Sequence, residues 1–288
     1  MNQNTPLKDY ELLDSGDGEK LERWGDYLLI RPEPTAIWAK DQSLYQWYQA
    51  DGHYSRDEKN QGQWNFIKPL PNSWFFNYQS LKLKVMPSEN KHTGVFPDQA
   101  INWDWMTELI RQASQPIDVL NLFAYTGAAS LACAGAGAQQ VVHVDASKSI
   151  VQWAKENMEL SKLEHCSIRF LVDDCLKFVQ KEQRRNHRYQ AIIMDPPSYG
   201  RGPNQELWKI EEQLPELIRA SLEIFDTEQP LFFLINTYTT GLSVQTMRNL
   251  MNQHFGALGG TIDVFENGLP TTHNNLILPC GVSARWTP

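Results

Sequence analysis

The sequence predicts an α/β chain. A small strand-rich domain over residues 1–90 precedes, over residues 91–288, a mainly parallel sheet with helices on both faces. Three observations lead there. Tryptophans recur early (Trp24, Trp38, Trp47, Trp64, Trp74) among short runs broken by Pro, Gly and Asn, and this texture stops near residue 90. From Gln99 onward, strand-like and helix-like periods alternate, which implies a parallel sheet covered on both sides. Several apolar runs in this second part end in an acid or a tight small-residue turn, and such sheets bind ligands beyond the carboxyl ends of their strands.

In the first part, "DYLLIRP", "WNFIKPL", "SWFFNYQ" and "LKLKVMP" read as short strands. The second part opens with "INWDWMTELIRQA", apolar at helical spacing, and then "IDVLNLF", a buried strand. "AASLACAGAGA" is a small-residue helix and "QVVHVD" a strand. "SKSIVQWAKENMELSKL" is an amphipathic helix opened by Ser147. "SIRFLVDD" is a strand, followed by helix through "CLKFVQKEQRR", then the strand "YQAIIMD". "NQELWKIEEQLPELIRASLEIF" reads as largely helical, with Pro215 marking a break or a second start. "PLFFLINTY" is a strand, "VQTMRNLMNQHF" a helix, and the remainder holds two or three short strands.

Composition narrows the function. The net charge of −8 weighs against tight non-specific nucleic-acid binding, though it leaves room for a local basic patch. The densest basic stretch, "KEQRRNHR" (Lys181 to Arg188), reads first as a solvated helix end. Cys133, Cys166, Cys175 and Cys280 are scattered without a C-x-x-C pair, which points away from zinc and from a disulfide framework. No apolar run approaches bilayer length, and the acidic start is no secretory leader. The expectation is a reduced, cytoplasmic protein without a metal.

Four strand ends carry the candidate chemistry. The first, "NLFAYTGAAS", has only Gly127 of a G-x-G-x-x-G fingerprint. It is either a tight strand-to-helix turn or a place where a ligand lies against backbone at a helix N-terminus. The second ends at Asp145, where a carboxylate can accept from both hydroxyls of a ribose; capping the next helix is the competing role, for which Ser147 is better placed. The third ends in Asp173, Asp174 and Cys175, where an acid could accept from an adenine amino group or cap the following helix. The fourth is "IIMDPPSYGRG". Pro196 and Pro197 have no N–H and cannot extend a sheet, so they stiffen whatever follows Asp195. Alone, that stretch could be a stiff connector; with the other three it reads as a site.

In this order the segments "DVLNLFAYTGAAS", "VVHVDASKSIVQWAKENMELSKL", "VDDCLKF" and "IIMDPPSYGRG" resemble the class I methyltransferase domain of bacterial large-subunit ribosomal RNA methyltransferases, which include cytosine-C5 and guanine-N7 enzymes. "HTGVFPDQ" (His92 to Gln99) resembles the segment preceding the sheet in that group, so the similarity covers roughly residues 90–288. The resemblance implies a Rossmann-like seven-stranded sheet, S-adenosylmethionine as cofactor and RNA, ribosomal RNA foremost, as substrate. It implies that Phe123, Ala124, Tyr125, Thr126 and Gly127 wrap the methionine and sugar of the cofactor. Asp145 holds the ribose with Ala146 and Ser147 beside the adenine, and Asp174 bonds the adenine amino group with Cys175 alongside. Thr93, Phe96 and Gln99 close over the cofactor. Asp195 lies near its amino group, and the Pro196–Tyr199 turn faces the acceptor, with Asp195, Pro196 and Tyr199 as the catalytic set.

Two departures qualify this. The cytosine enzymes carry a cysteine nucleophile after the fifth strand, which adds to C6; here that stretch, "NTYTTGLS" (Asn236 to Ser243), has none, which favours transfer to nitrogen or oxygen. The aromatic first domain also stands where a basic RNA-binding domain would. The competing functions are a non-catalytic RNA-binding or assembly protein that keeps the cofactor fold, and an NAD-dependent oxidoreductase, which the missing glycines disfavour.

Overall fold

The structure is a computed structural model describing residues 7–57, 62–88 and 91–288. The chain forms two compact units, Met1–Ala100 with Gly268–Cys280, and Ile101–Asn267 with Gly281–Pro288.

The first unit is strand-rich, as its alternating runs require. β1 (Tyr10–Gly16), β2 (Glu19–Trp24), β3 (Tyr27–Pro32), β4 (Gly52–Arg56) and β5 (Gly62–Phe66) form one sheet in that order. Asp17 and Gly18 both take positive φ between β1 and β2, the geometry that suits a two-residue hairpin turn to strand twist. β6 (Trp74–Tyr78) and β7 (Leu81–Val85) form a separate hairpin whose alternate residues are buried. Inside, Tyr10 and Phe76 pack edge-on against Trp24. Arg31 donates two hydrogen bonds of 2.6 and 2.7 Å to the buried Glu22 carboxylate, which also accepts from the Tyr10 hydroxyl at 2.8 Å.

The second unit holds α1 (Ala100–Gln112), which begins on the last residue of the first, β8 (Asp118–Leu122), α2 (Ala128–Gly135), β9 (Gln140–Asp145), α3 (Lys148–Leu160), β10 (Ile168–Val172), α4 (Cys175–Arg184) and β11 (Ala191–Met194). It continues with β12 (Tyr199–Arg201), β13 (Leu207–Lys209), α5 (Ile210–Leu222), β14 (Phe232–Thr237), α6 (Val244–Phe255), and most of β15 (Thr261–Pro270) and β16 (Ile277–Thr287), whose residues 268–270 and 277–280 belong to the first unit. The seven-stranded sheet runs β10-β9-β8-β11-β14-β16-β15. The pairs from β10 through β14 are parallel, and β14 with β16 is antiparallel. β11 and β14 are buried at every residue, as expected of central strands covered on both faces. Side-chain caps start three of the helices: Ser147 for α3, Asp174 for α4 and Ser243 for α6. The fold class expected from the sequence is therefore present, both as a seven-stranded sheet and as a strand-rich N-terminal sheet.

Three elements differ from expectation. Residues 204–209 are not helical: Leu207–Lys209 pairs antiparallel with Tyr199–Arg201, with Gln205 at positive φ in the turn. Pro215 neither breaks nor restarts a helix but lies within α5. It sits on the exposed face with Glu211, whose carbonyl loses its helical donor where water can replace it. The C-terminal region forms two strands, within the expected two or three, but β15 and β16 are long, at 10 and 11 residues.

Candidate active site

β8 leads to β9 and β10 on one side, while β11 and β14 lie on the other. Strand order thus reverses between β8 and β11, and the carboxyl ends of four adjacent parallel strands share one edge. The residues singled out at the four strand ends all come to this edge. A crevice at such a reversal is where open α/β sheets take ligands.

The turn after β8 is tightly wound, with Phe123, Tyr125 and Gly127 all at positive φ. A Cβ on Gly127, where φ is 92°, would lie 3.1 Å from the Ala154 Cβ, so glycine lets α2 start close against α3. The turn is held from outside itself. The Tyr125 N–H donates to Asp145 Oδ2 at 3.0 Å, Asn157 Nδ2 donates to the Thr126 carbonyl at 2.9 Å, and the Ala124 N–H donates to the Val144 carbonyl at 3.0 Å. Asp145 Oδ1 accepts from the Ser147 N–H at 2.9 Å. Burial raises the Asp145 pKa, and backbone N–H groups of Ser147, Tyr125 and Ala146 counter that rise. Two carboxylate oxygens offer about four acceptor positions, so capacity for a ribose hydroxyl remains. Ser147 itself caps α3, its hydroxyl accepting from the Ile150 N–H at 3.4 Å.

At the end of β10, Asp174 does cap α4, its Oδ1 accepting from the Lys177 N–H at 2.9 Å. Asp173 accepts from the Asp174 N–H and pairs with Lys181. Cys175 is buried and its Sγ accepts from the Phe123 N–H at 3.3 Å, which ties the third strand end to the first.

After β11, Asp195 is half-buried and its Oδ1 accepts from Asn236 Nδ2 at 3.0 Å. Pro196 is buried, whereas Pro197, Ser198 and Tyr199 are exposed. The turn is braced by contacts the sequence did not announce. Trp208 Nε1 donates to the Pro197 carbonyl at 2.6 Å, the Ile210 N–H donates to the Ser198 carbonyl at 3.1 Å, and the Ser198 and Thr239 hydroxyls lie 2.6 Å apart. Those two carbonyls thus serve the turn's rigidity. The Trp208 ring also packs on Phe123, centroids 4.9 Å apart. The β12–β13 hairpin therefore links the first and fourth strand ends. Asn236, Trp208 and Thr239 are the site-edge residues missed by sequence reasoning; for Asn236 the available signal was a polar residue closing the apolar run "PLFFLIN".

Thr93, Phe96 and Gln99 belong to the first unit. Thr93 and Gln99 are buried, Gln99 Nε2 donates to Asp98 Oδ2 at 3.1 Å, and the Phe96 ring packs on His92. "KEQRRNHR" is engaged in local structure: buried Glu182 accepts from Arg185, His187 and Tyr189, Lys181 pairs with Asp173, and Arg188 donates to the Glu223 carbonyl.

No thiol is activated. Burial pushes Cys133 up to about 12 and raises Cys175, Cys166 and Cys280. Among the described residues, no group of three or more His, Cys, Asp or Glu side chains could hold a metal ion, and no helix is long and apolar enough to cross a membrane.

A family model for S-adenosylmethionine-dependent methyltransferases matches residues 28–246. The chain belongs to that family. A crystal structure of an S-adenosylmethionine-dependent methyltransferase from Agrobacterium tumefaciens is 35% identical, with a TM-score of 0.93, over 99% of this chain and 92% of that one. A methyltransferase solved with S-adenosylhomocysteine, 23% identical and with a TM-score of 0.76 over 98% of this chain and 76% of that one, shares the fold. Among curated relatives, a ribosomal RNA large subunit methyltransferase K/L from Pseudoalteromonas atlantica is 34% identical over 143 residues, 49% of this chain. The chain spans only 19% of that relative's length.

This methyltransferase therefore uses S-adenosylmethionine, and the strand-end edge fits it. The partly satisfied Asp145 carboxylate has the chemistry to accept from a ribose hydroxyl.

Proposed function

We propose that this methyltransferase modifies RNA, ribosomal RNA first, at a nitrogen or oxygen atom. The RNA reading is supported by the names of its curated relatives, and it places the enzyme's work in the cytoplasm. The observation that carries the choice of atom is where the cysteines lie. Cytosine-C5 transfer needs a thiolate nucleophile, and the stretch after β14, Asn236 to Ser243, holds no cysteine, while Cys133 and Cys175 are buried.

Bound S-adenosylmethionine supplies an electrophilic methyl group on a sulfonium. The chain's own part is to place the reactants, and positioning alone can supply much of the rate. Phe123 to Gly127 line the cofactor's methionine and sugar, and Asp145 accepts from the ribose hydroxyls, with Ala146 and Ser147 beside the adenine. Asp174, with one oxygen committed to its cap, offers the other to the adenine amino group, and Cys175 packs alongside. Asp195 orients the cofactor ammonium or holds the proton released by the acceptor. The braced Pro196–Tyr199 turn presents the Tyr199 ring, 57% exposed, to a flat acceptor group.

The test is mass spectrometry of RNA from a strain lacking the gene, with restoration by purified enzyme. Loss of one N- or O-methylated nucleotide is expected. Loss of a C5-methylated cytosine, or an unchanged RNA profile, would overturn the reading.

A further inference from the structure

The Asp195 carboxylate is one end of a buried chain of hydrogen bonds, and the other end is a guanidinium. Arg285 donates from Nε (3.0 Å) and Nη2 (2.6 Å) to Asn102 Oδ1. Arginine has only donors, so the Asn102 oxygen must face it. That turns Asn102 Nδ2 toward Ser283 Oγ, at 2.8 Å. Ser283 Oγ also accepts from Asn267 Nδ2 at 2.9 Å, and its own proton can go to Asn236 Oδ1 or to Asn267 Oδ1, each at 3.0 Å. Asn267 Nδ2 reaches Asn236 Oδ1 at 3.0 Å as well. Whichever way the Ser283 hydroxyl turns, Asn236 Oδ1 faces donors, so its Nδ2 faces Asp195 Oδ1 at 3.0 Å. A flipped Asn236 would set its carbonyl against the carboxylate and its amide nitrogen against that of Asn267.

The fold builds this chain from neighbours. Asn236 on β14 pairs directly with Ser283 on β16, and Arg285, two residues on, points to the same face. Asn102, Asn236, Asn267 and Ser283 are no more than 2% exposed. The guanidinium lies 4.6 Å from the Trp105 ring centroid and 4.7 Å from that of Phe265. Burial lowers the Arg285 pKa to about 10, which leaves it charged at neutral pH. A buried polar array of this kind gains little stability over well-packed apolar residues. Its distinctive product is one fixed amide direction, and hydrogen bonds in series polarise one another.

We infer that Asn236 is a positioning residue for methyl transfer, locked by Ser283, Asn267, Asn102 and Arg285 so that its amide N–H fixes the Asp195 carboxylate. The inference rests on the reading of Asp195 given above.

The experiment compares Asp195→Asn, Asn236→Leu, Ser283→Ala and Ser283→Thr in the full chain, each checked for folding by near-UV circular dichroism. S-adenosylhomocysteine affinity is read by calorimetry, and the transfer rate on total RNA from the deletion strain. Asp195→Asn sets the readout. Whichever quantity it lowers, Asn236→Leu and Ser283→Ala should lower the same one, by about tenfold, a size typical of one charge-assisted hydrogen bond. Ser283→Thr, which keeps the hydroxyl, should restore it to within about twofold. Asn236→Leu should add little in the Asp195→Asn background, since coupled residues are not additive. A silent Asp195→Asn would remove the reading of Asp195 and this inference with it. An impaired Asp195→Asn beside Asn236→Leu and Ser283→Ala variants that lose only thermal stability would overturn the relay alone.

Discussion

The Tyr125 N–H donates to Asp145 Oδ2 at 3.0 Å, so the acid that ends β9 also fastens the turn that ends β8. With the Ser147 N–H on the other oxygen at 2.9 Å, the carboxylate organises its own edge of the sheet. Asp145→Ala should therefore weaken S-adenosylhomocysteine binding by about 1.5–3 kcal/mol, the range for a lost charge-assisted hydrogen bond plus the loosened turn. Asp145→Asn should recover little, because its amide nitrogen must face a backbone N–H on one side. Calorimetry on both variants checks this, and unchanged affinity in Asp145→Ala would take the residue out of the cofactor site.

Methyl transfer should need no cysteine. Cys175 touches the Phe123 N–H at 3.3 Å but is buried, and burial keeps its thiol protonated. A chain with all four cysteines replaced by alanine, once shown to be folded, should keep its transfer rate within about tenfold, or ~1.4 kcal/mol of barrier. Trapping of a covalent adduct with a fluorinated cytosine substrate would count against it.

What could be read ahead follows from how local each signal is. Asp145, Asp174 and Asp195 each end an apolar run, so strand and acid appear together in a few residues of sequence. Ser147 was recognisable as a cap because its hydroxyl serves a backbone N–H three residues on. Asp174 fits two local roles, and only coordinates show that one of its oxygens is committed to the cap. The Asn102, Asn236, Asn267, Ser283 and Arg285 chain joins residues up to 183 positions apart, for which no periodicity gives notice. The β12–β13 hairpin escaped for another reason. Gln205 to Lys209, its second half, have ordinary helical propensity, and the Trp208–Pro197 contact that holds them is tertiary.

Acid should destabilise the second unit through His143. Its imidazole is fully buried, Nδ1 lies 3.0 Å from Ser130 Oγ, and Nε2 has no hydrogen-bond partner among the described residues. Burial lowers its pKa to about 3, against roughly 6.5 in an unfolded chain. Below pH ~6.5 the unfolded chain binds a proton that the folded one excludes, so stability present above that pH is lost as pH falls toward about 3. The slope from this group alone approaches ~1.4 kcal/mol per pH unit. Denaturant unfolding of the wild type and of His143→Gln between pH 6 and 4.5 should differ by close to one proton. Equal slopes would mean that the histidine is charged in the folded chain.

The turn after β11 should separate into a brace and a platform. Trp208→Phe removes the Nε1 donor to the Pro197 carbonyl, a 2.6 Å contact, while keeping an aromatic ring to pack on Phe123. The lost hydrogen bond is worth about 1 kcal/mol, so transfer should slow roughly five- to tenfold as the turn loses its fixed position. Tyr199 makes no such brace, and its ring is 57% exposed. Tyr199→Ala should leave S-adenosylhomocysteine affinity unchanged and raise KM for RNA, by the ~1–3 kcal/mol typical of a base stacked on an aromatic side chain. Steady-state kinetics on RNA from the deletion strain, paired with calorimetry, distinguishes the two: a kcat loss for Trp208→Phe and a KM loss for Tyr199→Ala. If both variants bind and turn over like the wild type, the Asp195–Tyr199 turn only connects β11 to α5, and the acceptor lies against some other part of the edge.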